Sequence, residues 1–226
     1  MMKNKKIYII LSVIICAFLM CFVDGVIKPH YFVKSAIKLV LFLVVPLFYF
    51  VCNKGEIGKF KSLFCVKPKT LLFAVLFGGA TYIAIVGAYM LLRASFDFST
   101  IAGKLTENAG VSKDNFLYVS LYISFINSLL EEFFFRGFAF ITLKNFASRR
   151  FAYVFSAAAF ALYHAGMTAG YYGIGVFVLL LAALFAAGVM FDYINEKSGS
   201  IYPSWLVHMF ANFAINTVGF ILFGMI

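Results

Sequence analysis

The chain has 226 residues, of which 64% are hydrophobic and only 12% charged, with a formal net charge of +10. A globular domain carries roughly 25% charged residues, so a soluble core is excluded, and a mean hydropathy of +0.98 predicts an all-α, polytopic membrane bundle. The basic excess is split among short connections, which argues for anionic lipid headgroups as partners and against nucleic acid.

Gaps between charges divide the chain into seven apolar segments, each near the ~20 residues that cross a bilayer. They are Ile7–Val23, Phe32–Val51, Leu71–Leu92, Phe116–Leu143, Phe151–Met167, Tyr171–Tyr193 and Ile201–Ile226. We read residues 1–226 as a single membrane domain: three amino-terminal spans without a motif (1–115), then four that carry polar residues (116–226). Gly78-Gly79 in the third span reads as close helix packing. The first span begins like a signal peptide but lacks a small-residue cleavage site, so a retained anchor is expected. Lys and Arg fill the amino terminus and the even-numbered connections: Lys3, Lys5 and Lys6, then Lys54 to Lys69, then Lys144, Arg149 and Arg150, then Lys197. The odd connections hold Lys28, with Lys34 at a helix edge, then Arg93, Lys104 and Lys113, partly balanced by Asp97, Glu107 and Asp114. Because positive charge marks the cytoplasmic side of short loops, the amino terminus is expected in the cytoplasm. The stretch Lys54–Lys69, with Phe60, Leu63 and Phe64 between lysines, is expected to lie on the inner membrane surface. Cys16, Cys21, Cys52 and Cys65 have no metal-ligand spacing.

Charged side chains at bilayer depth are costly unless paired or set in a wet cavity, so they mark a functional site by default. The fourth segment reads Asn127-Ser-Leu-Leu-Glu131-Glu132-Phe-Phe-Phe-Arg136. Glu132 and Arg136, four apart, are neighbours on one helix face. Glu131 is turned ~100° away, with Asn127 as its own neighbour one turn earlier. Glu132 is therefore expected to be a structural anion, and Glu131 the carboxylate left free as a general base. The fifth segment carries Phe160-x-x-x-His164, with the phenyl ring beside the imidazole. The seventh presents a stripe of Ser204, His208, Asn212 and Asn216, after a Pro203 suited to the first helical turn.

Taken in order, Glu131-Glu132-x-x-x-Arg136, Phe160-x-x-x-His164 and His208-x-x-x-Asn212 resemble the motifs of the CPBP family of intramembrane proteases. That family includes the type II CAAX prenyl endopeptidases and bacteriocin-processing or self-immunity proteins. The Gly-Ser-Ile-Tyr-Pro-Ser lead-in to the last motif is similar too, and the likeness covers about Asn127 to Asn216. It implies an endopeptidase in which Glu131 and His164 hold the attacking water, and His208 and Asn212 stabilise the oxyanion. Glu132, Arg136, Asn127 and Phe160 would support them. If the chemistry is metal-dependent, Glu131, His164 and His208 are the set that would hold a zinc ion, although a glutamate mechanism without metal uses the same residues. The implied substrate is a peptide or protein, lipidated or leader-bearing, and the composition suggests a bacterial plasma membrane. A non-catalytic scaffold or bacteriocin-immunity protein is the alternative. An ion-coupled transporter is a further one, but the repeated broken helices expected of it are missing from the sequence.

Overall fold

The computed structural model describes residues 4–95, 103, 106–107, 110–170 and 173–226. Lys3, Asp97, Lys104 and Tyr171 lie outside them. The described chain is helical, with no strand among the described residues. Its main helices are α1 (Lys5–Ile27), α2 (Tyr31–Cys52), the short α3 (Ile57–Ser62), α4 (Pro68–Leu92), a continuous helical run α5 over residues 116–145, α6 (Arg149–Thr168), α7 (Ile174–Ser198) and α8 (Tyr202–Leu222). Five of these, α1, α2, α4, α7 and α8, are long and apolar enough to cross a membrane. The expected seven spans are thus supported for five members. The other two, α5 and α6, are the helices that carry the glutamates and His164. Charged, small and polar residues dilute their apolarity, among them Glu131, Glu132 and Arg136 of α5 and Arg149, Arg150 and His164 of α6, and every residue from Leu130 to Phe140 is buried.

The middle of the bundle is aromatic. Phe42 of α2 stacks on Phe134 of α5 at 4.1 Å between ring centres, and Phe135, Phe138, Phe160 and Tyr163 close around them. Between helices in lipid the hydrophobic drive is weak, so close packing and internal hydrogen bonds carry the association. Part of α5 is wound as π-helix, over Tyr122–Asn127 and Glu132–Thr142. Such windings are rare and concentrate at functional sites. The Asn212 amide donates to the Ile123 carbonyl in the first of these stretches, and the Trp205 indole N–H to the Phe125 carbonyl and Ser128 Oγ. Asn216 donates to the Ser120 carbonyl and Ser124 Oγ. The polar stripe of α8 is therefore in large part a seam stitched to the backbone of α5.

Glycines set two other contacts. Gly78 of α4 faces the Phe210 ring of α8, whereas Gly79 opens onto nothing. A Cβ on Gly166 of α6 would collide with the Cys21 backbone of α1, and Gly25 packs against the same glycine. Gly166→Val should therefore cost about 1–3 kcal/mol by overpacking, read as a lower melting temperature in detergent. An unchanged melting temperature would show that α1 can move away from α6 freely.

The basic connections gather at one end of the bundle. Lys5 and Lys59 both bind Glu56, at 2.8 and 2.9 Å, and both lie over the Phe146 ring. Burial opposes charge on Glu56, but its bonds to Lys5 and Lys59 prevail and hold the carboxyl below its ordinary range. The stretch after Glu56 turns its apolar residues to the bundle. Phe60 and Phe64 pack on Phe133, Leu63 is buried, and the Leu63 carbonyl accepts from Ile201 N–H and Ser200 Oγ, each at 2.9 Å. Its apolar face packs on the bundle, and the start of α8 is tied to its Leu63 carbonyl.

Candidate active site

The lead-in to α8 is built residue by residue. Gly199 ends α7 in the left-handed conformation, at φ 72°, which glycine adopts without penalty. Ser200 and Ile201 then anchor to Leu63, and Pro203 occupies the first turn of α8. Ser204 receives the Asn195 amide at 2.6 Å and donates to Glu132 Oε2. One turn later His208 Nδ1 meets Glu132 Oε1 at 3.0 Å. A carboxylate only accepts, so the proton lies on His208 Nδ1 and the Nε2 edge of the ring faces away from Glu132.

Glu132 thus leans toward α8 more closely than toward Arg136, whose Nε stands 3.5 Å away. The Arg136 guanidinium is fully buried and lies 4.1 Å from the Phe160 ring centre and 5.2 Å from that of Phe191. Its second carboxylate neighbour is Asp192 of α7, at 3.8 Å, and Asp192 in turn accepts from Ser156 Oγ at 3.1 Å. The ion pair expected from the four-residue spacing is present, but the arginine is held chiefly by aromatic faces between two acids.

Glu131 has two unlike oxygens. Oε1 accepts from Tyr163 OH at 2.7 Å, Asn127 Nδ2 at 2.8 Å and Lys38 Nζ at 3.1 Å. Oε2 is buried with no hydrogen-bond partner and faces Nε2 of His164 and Nε2 of His208, each at 3.9 Å. His164 Nδ1 lies 2.7 Å from the Phe160 carbonyl, so it must donate there, leaving Nε2 as a lone pair toward the glutamate. Phe160 packs edge-on against both imidazoles, at 4.6 and 6.0 Å between ring centres. Phe191 stacks on His208 from the other side.

Of the residues singled out in the sequence, Glu131, His164 and His208 meet at one point, with Asn127, Phe160, Glu132 and Arg136 around it. Asn212 stands one turn beyond His208, with one amide N–H committed to Ile123. Sequence reasoning missed Lys38, Tyr163 and Asp192. Lys38 and Asp192 are charges within apolar runs and carry the same signal that flagged the glutamates, but each stands apart from the three motifs. Tyr163 is adjacent to His164 and gave no signal of its own.

The three inward donors are of the type that binds zinc, but not at its spacing. Tetrahedral bonds of about 2.0–2.1 Å bring ligand atoms to roughly 3.4 Å from one another, against 3.9 Å here. Among the described residues no group of three His, Cys, Asp or Glu side chains is arranged to hold a metal ion.

Residues 113–214 match the family model described as Rce1-like, type II CAAX prenyl endopeptidase. No curated protein and no solved structure matches the chain. The matched stretch contains all three motifs and excludes Lys38. By that match the motif-bearing segment of this membrane protein, a little under half of the chain, is similar to the type II CAAX prenyl endopeptidases.

Proposed function

We propose that the chain is an intramembrane endopeptidase that hydrolyses a peptide bond with a water activated by Glu131. The observation that carries this reading is the bare Oε2 of Glu131, 3.9 Å from each of two imidazole Nε2 atoms. Groups at that separation can share one water at hydrogen-bond length, about 2.8 Å. In this reading Oε2 accepts a proton as the water oxygen attacks the scissile carbonyl carbon, and the His164 Nε2 lone pair orients the water's second hydrogen. His208, with Nδ1–H on the Glu132 carboxylate, is braced to take up a proton from bulk water at Nε2 before attack. It donates that N–H to the carbonyl oxygen as it becomes an oxyanion, and keeps the proton after the oxyanion collapses. Asn212 adds its second amide N–H. The proton taken by Glu131 then passes to the leaving amine as the C–N bond breaks. No step needs a metal.

The substrate class is a peptide or membrane-associated protein reaching a site among helices. Incubation of a peptide library with proteoliposomes, comparing wild type with Glu131→Ala, tests the reading. Products from wild type alone support it. Identical products, or an intact biological role in the Glu131→Ala variant, would favour a non-catalytic scaffold.

The same reading places the chain in a bacterial plasma membrane with its amino terminus in the cytoplasm, supported by the cluster of Lys5, Lys59, Lys144 and Arg149 connections at one end. Single cysteines in a cysteine-free background should be labelled by an impermeant maleimide from outside intact cells at position 113 and not at position 59. The reverse pattern would invert the topology.

A further inference from the structure

Lys38 belongs to a helix that precedes the family segment, yet it is only 4% exposed and touches the central glutamate. An ammonium has three N–H donors and no acceptor, and here all three are used. They go to Asn127 Oδ1 at 2.7 Å, Tyr163 OH at 2.5 Å and Glu131 Oε1 at 3.1 Å. Asn127 and Tyr163 relay the contact, because each accepts from Lys38 and donates onward to the same Glu131 Oε1. The cluster is closed: one cation and two neutral relays, all converging on one oxygen. The other oxygen receives nothing from them.

We propose that Lys38 is a positioning residue, the fixed counter-cation that locks Glu131 Oε1 and thereby reserves Oε2 for the reacting water. The inference rests on hydrolysis at Glu131 and adds to it a residue outside the family motifs. A carboxylate free to turn would present either oxygen to the imidazoles. With three donors on Oε1, rotation means breaking three hydrogen bonds, one of them charge-assisted.

Two substitutions separate charge from hydrogen bonding: Lys38→Gln keeps a donor without charge, and Lys38→Arg keeps the charge. With a quenched fluorogenic peptide selected on wild-type protein, Lys38→Gln should lower kcat on the order of 10²-fold with KM within about threefold. Lys38→Arg should recover most of that loss. Wild-type kcat in Lys38→Gln, or equal losses in both variants that simply track melting temperature, would overturn the proposal. A cycle of melting temperatures tests the pairing without any substrate. Lys38→Gln should destabilise wild type clearly and the Glu131→Gln protein much less, because the partner charge is already gone. Additive losses would show that the two residues do not act on each other. If Glu131→Gln cleaves as well as wild type, the hydrolysis reading fails instead, whatever the thermal cycle reports.

Discussion

Glu131→Gln should lower kcat by about 10³-fold or more and leave a folded protein. The reason lies in the asymmetry of its two oxygens. Three donors converge on Oε1, so the amide of the variant must place its own oxygen there. The amide nitrogen then takes the place of Oε2 and points two N–H groups toward His164 and His208. A proton acceptor is thus replaced by a donor at the one position where the water must be deprotonated, while shape and most hydrogen bonds survive. Measuring kcat with the melting temperature of the same preparation checks both halves. A variant that is folded and retains more than about a tenth of wild-type kcat would remove Glu131 as the base.

Glu132→Gln should do two kinds of damage at once. Glu132 is fully buried and serves Ser204, His208 and Arg136. Removing its charge leaves Arg136 with Asp192 alone, and breaking a buried pair in this way costs about 3–5 kcal/mol. It also takes the carboxylate from His208 Nδ1, so the ring loses the charge that supports a protonated state. Stability should fall, and kcat should fall further than the unfolded fraction explains. Asp192→Asn is the comparison: it weakens the same arginine without touching His208. Its melting temperature should drop while its kcat, per folded molecule, stays near wild type. Equal catalytic loss in both variants would show that Glu132 acts only through Arg136.

Much of this arrangement was legible in the sequence. The cost of charge in lipid was enough to select Glu131, Glu132, Arg136, His164 and His208, and the four-residue spacings placed Asn127 beside Glu131 and Phe160 beside His164 as found. What was not legible had two physical causes. Spacing along one helix says nothing about partners on another, so the stronger attachment of Glu132 to α8 and the aromatic cradle of Arg136 were invisible. Hydropathy also averages a single charge into a long apolar run. Lys38 and Asp192 are such charges, each on a helix that carries none of the three motifs, and both were passed over. The stripe on α8 was legible as facing the bundle, but not its partners: Asn212 and Asn216 donate to α5. Nothing in the sequence marks α5 as π-wound beneath them.

The ion pair between Lys38 and Glu131 joins residues 93 positions apart, and that separation bears on how the chain enters a membrane. Helices are made in order, so α5 arrives when α2 is already in place and α7 and α8 do not yet exist. At that moment the buried middle of α5, with Lys144 left at its end, brings two acids, Glu131 and Glu132, and one base, Arg136. Alone it would carry a net negative charge into lipid, at a cost of several kcal/mol. Lys38, waiting in α2, completes a set of two acids and two bases. The electrical balance of the half-built bundle is therefore reached before Asp192, Ser204 and His208 are synthesised, and a Lys38 variant would meet its first difficulty at insertion, long before a substrate arrives.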